Sequence, residues 1–125
     1  MKKKNFCVLL AAYNGEKFLK RQIISILNQK NVDLDIVISL DKSTDNSLKL
    51  IRKIQKKNTN IFLTSSNKIF GSGSLNFINL IKNINFKNYE YISFSDQDDI
   101  WLKNKLSAAK KKMIKLNLDG YASNT

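Results

Sequence analysis

At 125 residues and 14.4 kDa the chain has room for one domain with a single core. Hydrophobic residues (42%) and charged residues (26%) are spread along its whole length, which excludes a disordered or low-complexity chain, and no apolar run approaches the roughly 20 residues a membrane span needs. The formal charge of +12 suits nucleic acid, an anionic membrane face or a small anionic substrate, but Lys49, Lys53, Lys56, Lys57 and Lys110 to Lys112 fall on the backs of predicted helices with no aromatic residues interleaved as stacking platforms, so nucleic acid is disfavoured.

The chain opens with Met1-Lys-Lys-Lys and an apolar run at 6–12, an arrangement that imitates a signal peptide. The run is at the lower length limit for such a segment and flows into Tyr13-Asn14-Gly15, a turn, so it reads as the first strand, 5–12. Its single cysteine, Cys7, excludes an internal disulfide, reads as a small core residue and fits a reducing cytoplasm. A helix follows at 16–28 with Leu19, Ile23 and Ile26/Leu27 on one face, then a strand at 35–40. Ser43-Thr44-Asp45-Asn46 supplies cap-type residues for a second helix, 45–57, whose inner face carries Leu48, Ile51 and Ile54. A strand at 60–65 and the flexible Gly71-Ser72-Gly73-Ser74 precede a third helix, 74–84, with Phe77, Ile81 and Ile84 facing inward. The fourth strand, 89–95, leads to a helix at 102–116, in which Leu102, Leu106, Ala109, Met113 and Leu116 form a core-packing stripe.

Strict alternation of strand and helix predicts an α/β fold, a mostly parallel sheet with helices on both faces, because parallel strands require right-handed crossovers. In such sheets ligands bind beyond the carboxyl ends of the strands. The four strand exits carry Tyr13-Asn14-Gly15, Asp41 with Ser43 to Asp45, Asn67-Lys68, and Asp96-Gln97-Asp98-Asp99. Six of the ten acidic residues (Glu16, Asp41, Asp45, Asp96, Asp98 and Asp99) therefore gather at or just past one edge of a strongly basic chain. Converging carboxylates repel and need a cation between them or donors around them.

Asp41 to Asp45 is accounted for equally well as a turn and helix cap or as a place where Asp41 accepts hydrogen bonds from a base or ribose. Three carboxylates within Asp96-Gln97-Asp98-Asp99, between an apolar strand and Ile100-Trp101, are harder to explain as a solvated loop. All-oxygen ligands suit Mg²⁺ or Mn²⁺ holding substrate phosphates. A calcium hand is excluded, since counting from Asp96 puts Trp101 at its glycine position and Ser107 at its glutamate position. Gly71-Ser72-Gly73 is neither a phosphate loop nor a dinucleotide fingerprint: no Gly-Lys-Ser/Thr follows, and the third glycine position holds Asn76. It reads as a loop before a helix.

Three ordered motifs, Val8 to Gly15, Asp35 to Asn46 and Phe94 to Trp101, resemble family 2 glycosyltransferases, especially the rhamnosyltransferase-like bacterial members, over nearly the whole chain. The resemblance implies a Rossmann-like GT-A fold that binds a UDP- or dTDP-sugar across the strand exits and transfers the sugar with inversion to a hydroxyl, in bacterial polysaccharide or glycan synthesis. By position, Ala11, Ala12 and Tyr13 match the stretch that lines the base; Asp41 matches the acid that hydrogen-bonds it; Asp96 and Asp98 match the DxD-type pair, with Asp98 the expected ligand of Mn²⁺ or Mg²⁺. Asn67, at the third strand exit, is grouped with the nucleotide-binding residues.

Two departures stand out. Leu40-Asp41 replaces the family's paired acids, and after Asp99 only Asp119 remains as a candidate catalytic base, in no base motif. Residues 1–125 are therefore expected to form the donor-binding half, without the acceptor-binding part and inactive alone. In that setting the charge would suit a cytoplasmic protein peripheral to an anionic inner membrane, near a glycan or lipid-linked acceptor.

Overall fold

The computed structural model describes residues 3–96 and 98–122; Gln97 of the acidic motif, the first two residues of the basic start and the last three of the chain lie outside them. Strand β1 (Lys4–Ala12) is almost wholly buried and β2 (Leu34–Leu40) entirely so, which is why both read as near-continuous apolar runs: each is covered on two faces. With β3 (Ile61–Ser65) and β4 (Tyr89–Asp96) they form a four-stranded, all-parallel sheet in the order β3-β2-β1-β4. The expected α/β arrangement is what the chain adopts.

Helices α1 (Leu19–Leu27), α2 (Ser47–Gln55) and α4 (Lys105–Leu116) and the Trp101 ring pack on the face formed by Phe6, Val8, Leu10 and Ala12 of β1 and Leu34, Ile36, Ile38 and Leu40 of β2. Helix α3 (Gly73–Lys82) covers the opposite face, where Leu80 meets Cys7, Leu9, Ala11 and Val37. Burial pushes the Cys7 thiol up to about 12, with the nearby Asp35 carboxylate adding to the shift, so it is an inert core group.

The structure moves several helix starts inward. Helix α1 begins at Leu19 rather than residue 16, because the Gly15 carbonyl first accepts the N–H groups of Phe18 and Leu19 in a turn. Helix α2 begins at Ser47, where Asp45 Oδ1 takes both the Ser47 N–H (2.9 Å) and hydroxyl (2.6 Å). Two inner faces also differ from expectation. Phe77 and Ile84 pack against the core as expected, but the buried residues of α3 are Asn76, whose amide donates to the ends of β1 and β2, and Leu80, whereas Ile81 is 38% exposed. In the 102–116 stripe Leu106, Ala109 and Met113 are buried, but Leu102, which precedes the helix, and Leu116, at its last turn, are exposed. Among the described residues no helix is long and apolar enough to cross a membrane.

Candidate functional site

Register brings the strand exits together. Ala11 pairs with Ser39 of β2 and with Asp96 of β4, and Ala12 pairs with Leu40, so residues 11–13, Asp41 and Asp96 leave the sheet side by side. A pocket of about 550 Å³ opens there. Ala11, Ala12, Tyr13, Asp41, Asp96 and Asp98 all line it, and so do Lys42, Ile69, Gly71, Ser72, Gly73 and Asn76. Asn67 does not: it lies in a separate groove of about 320 Å³ with Arg52, Gln55, Thr64 and Lys68.

The wall facing β2 is built around Asp41. The Asp41 side chain is buried, and each carboxylate oxygen accepts one backbone N–H, Oδ1 from Phe70 and Oδ2 from Gly71, both at 3.1 Å. The adjoining Lys42 N–H reaches the Lys68 carbonyl at 2.8 Å. The loop bends at Gly71, whose φ of +79° is a conformation that glycine adopts without strain, and the Ser72 hydroxyl then caps α3 by accepting the Leu75 N–H at 3.2 Å. The Gly-Ser-Gly segment, which in sequence reads as a loop before a helix, is thus a pocket wall held by an acid thirty residues away. Two glycines at a strand exit were the available signal; for Lys42 and Asn76 the sequence held none.

A second set of bonds fixes the rim. Asn14, at φ +44°, accepts the Thr44 N–H at 2.8 Å and donates its own N–H to the Ser43 hydroxyl at 3.0 Å. Asp45 takes the Glu16 N–H at 3.1 Å as well as the two Ser47 donors. Desolvation raises the Asp45 pKa, but the Ser47 hydroxyl, the Ser47 N–H and the Glu16 N–H outweigh it, and the carboxyl is held below its ordinary value of 3.8. A depressed folded-state pKa stabilises the fold above the ordinary carboxylate value, and that stabilisation is lost as pH falls through the folded one. Asp45→Ala is accordingly expected to cost about 1 kcal/mol at neutral pH. The gap to the parent should narrow below pH ~4, as read by urea unfolding across pH.

On the β4 side, burial, Asp99 and Asp98, in that order, raise the pKa of Asp96. The charges of Asp99 and Asp98 thus disfavour the ionised form of Asp96. Among the described residues no group of three or more His, Cys, Asp or Glu is arranged to hold a metal ion. The pocket offers Asp96 and Asp98, while Asp99 lines a different groove, beside Trp101 and Lys105.

Comparison with known proteins places this geometry. The family described as Glycosyl transferase family 2 matches residues 7–125. A dTDP-rhamnosyl transferase, RfbG of Shigella flexneri, is 45% identical over 117 residues, covering 92% of this chain and 40% of that protein. Among solved structures, S. aureus TarS 1-349 superposes with a TM-score of 0.78 at 21% identity, covering 97% of this chain and 38% of that one. The same TarS region has been crystallised in complex with UDP. A mannosyltransferase of Pyrobaculum calidifontis, in complex with GDP-Man and Mn²⁺, gives a TM-score of 0.72 at 18% identity over 90% of this chain and 33% of that one. The chain spans about two fifths of the length of the rhamnosyl transferase.

Proposed function

From the premise that the chain belongs to glycosyl transferase family 2, we propose that residues 1–125 bind the nucleoside-diphosphate sugar, a UDP- or dTDP-sugar, for an inverting sugar transfer in bacterial glycan synthesis. The observation that carries this reading is the pocket in which the ends of β1, β2 and β4 and the start of α3 converge, lined by Ala11, Ala12 and Tyr13 together with the carboxylates of Asp41, Asp96 and Asp98. Ala11, Ala12 and Tyr13 offer a flat apolar surface for a base, and Asp96, at the end of β4, is placed for ribose or phosphate contacts. The 45%-identical dTDP-rhamnosyl transferase supports a dTDP-linked donor, and the UDP complex of TarS supports the uridine alternative.

The donor set fits a divalent cation held together with a substrate. Mg²⁺ and Mn²⁺ are commonly bound through one or two carboxylates plus substrate phosphates rather than by a complete protein cage, and that is what Asp98 with Asp96 supplies. A cation there would neutralise charge that develops on the departing diphosphate. The chain's own residues form the base platform, orient the diphosphate toward the β4 exit and keep the α3 loop in place.

Asp119 lines the groove beside α4 and not the pocket, so it is assigned no part in deprotonating an acceptor hydroxyl, and the region is expected to bind a donor without transferring its sugar. The alternative of a nucleic-acid binder driven by charge is not favoured, given the family and a pocket edged with carboxylates.

Calorimetric titration with UDP, dTDP and ADP in the presence of Mn²⁺ tests the reading. One-to-one binding of a pyrimidine diphosphate, at least about tenfold tighter than ADP, is expected, since a site built for one base leaves polar groups unpaired with another. Failure of both pyrimidine nucleotides to bind would sink it.

A further inference from the structure

None of the ten acidic residues lies on a helix: six stand at or just past the strand exits, Asp33, Asp35 and Glu90 at or beside the starts of β2 and β4, and Asp119 beyond α4. The three helices that cover one face of the sheet carry only positive charge. Lys20 and Arg21 are on α1, Lys49, Arg52 and Lys53 on α2, and five lysines between Lys105 and Lys115 on α4. Spacing aims them outward. In α2 Lys49, Arg52 and Lys53, with Lys56 just past the last turn, fall at i, i+3, i+4 and i+7, an exposed stripe opposite the buried Ser47 and Ile51. Lys20 and Arg21 are exposed while Ile23 and Ile26 are buried, and Lys111, Lys112 and Lys115 while Leu106, Ala109 and Met113 are. Among the described residues no cation of α1 or α2 is in an ion pair. Lysine richness alone does not give this distribution: α3, on the opposite face, has Lys82 as its one charged residue and exposes Leu75, Ile78 and Ile81.

Like charges held together without counter-charges repel, and the repulsion is relieved when they meet a surface of opposite sign. Helix α1 packs on α2, and Gln29, just past α1, accepts the Leu106 N–H of α4 at 2.9 Å, so the three form one layer. A layer of helices on a sheet is a broad face and not a cleft, which suits an extended anionic surface. None of the three helices contains an aromatic residue, so the charges come without a stacking platform for nucleic-acid bases. Ile24 and Ile114, 40% and 63% exposed, instead offer the aliphatic groups that an interfacial helix lays against acyl chains.

We propose that the layer of α1, α2 and α4 is a docking face for a lipid bilayer that carries anionic headgroups. The strands lie in the plane of the sheet, so a molecule docked on this face opens its pocket sideways, along the membrane surface, with the carboxylates of the strand exits beside the lipid and not against it. The inference stands independently of what the pocket binds.

Flotation of the whole chain with vesicles of phosphatidylcholine, alone or with about one third phosphatidylglycerol, tests it. The chain is expected to float with the anionic vesicles at low salt, to leave them at high salt and to ignore the neutral ones. Two triple variants of equal net charge separate the face from the total charge: Lys49→Glu, Lys53→Glu and Lys56→Glu on the α2 stripe, and Lys3→Glu, Lys82→Glu and Lys87→Glu outside the layer, all at exposed positions. Each lysine near an anionic surface adds about a factor of five to partitioning, so the α2 variant should bind at least about a hundredfold more weakly. The other should stay within about threefold of the parent, with thermal unfolding as the control for folding. On the unaltered chain, anionic vesicles should slow acetylation of Lys49 and Lys53 and leave that of Lys82 and Lys87 unchanged, a readout that needs no variant. Equal losses in the two variants would reduce the effect to net charge, and equal affinity for neutral vesicles would make it apolar. Tighter binding to a single-stranded RNA oligomer than to vesicles, lost in the α2 variant, would make the layer a nucleic-acid face. Any of these, or failure of the parent to float, overturns the proposal.

Discussion

Asp41→Ala is expected to lower the unfolding free energy by about 2–3 kcal/mol and to weaken nucleotide binding at least about tenfold, because two backbone N–H groups lose a charged acceptor together. A carboxylate that accepts two amide donors is worth more than the same bonds made to a neutral group. The Phe70 N–H is partly sheltered, so water replaces its bond poorly, while Gly71 is open to solvent and recovers part of its loss; the estimate is therefore less than two fully buried orphans would give. Asp41→Asn should fall between the parent and the alanine variant, since an amide keeps one acceptor but turns a donor toward the other N–H. Urea unfolding measures the first effect and calorimetry with UDP or dTDP the second. The pairing of the two results matters more than either alone. A loss of affinity with full stability would mean that Asp41 acts on the base itself and that the loop of Gly71 to Gly73 holds without it.

That alternative is the role implied by motif resemblance, and the contrast shows which parts of the molecule were readable beforehand. Sheet and helices were legible because β1 and β2 are covered on both faces and so had to be apolar throughout, while the helices kept an apolar stripe. Periodicity places Phe77 and Ile84 against the core, where they pack, but misses Asn76: an asparagine counts as polar, yet this one is buried with its amide bridging the ends of two strands. The packed stripe of 102–116 is one step shorter at each end than its apolar pattern, since an apolar residue beyond the last packed turn looks the same in sequence as one beneath it. At the site, the residues that a strand delivers directly, 11–13, Asp41 and Asp96, could be placed from topology. Those delivered by a loop could not. Asn67 and Gly71 follow the same strand, but only the second reaches the pocket, and what decides between them is the anchoring of residues 70 and 71 on Asp41, a contact across thirty positions of sequence.

Asp98→Ala is expected to remove the metal-dependent part of nucleotide binding while leaving the fold intact. Asp98 is exposed at the pocket edge and accepts none of the hydrogen bonds that hold the rim, in contrast to Asp41 and Asp45, so its loss should cost little stability. It is in fact a source of repulsion: its charge, after burial and after that of Asp99, raises the Asp96 pKa, and the substitution should let that carboxyl ionise more readily. A stability gain of a few tenths of a kcal/mol without metal is consistent with relief of a mostly solvent-screened repulsion. Binding should respond in the opposite sense. Loss of an outer-sphere partner already costs a metal site about 10–100-fold in affinity, so loss of a direct carboxylate ligand should cost at least that much. Titrations with UDP or dTDP, each with and without Mn²⁺, should therefore show a large metal-dependent increment in the parent and none in the variant, with the metal-free affinities similar. If the increment survives in Asp98→Ala and disappears in Asp96→Ala, the cation is held at the end of β4 itself and Asp98 only shapes the field around it. If Mn²⁺ has no effect on the parent, the acids of this loop serve the nucleotide without a metal, and the positive charge needed to hold a diphosphate must come from the protein, for which Lys42 is the cation lining the pocket among the described residues.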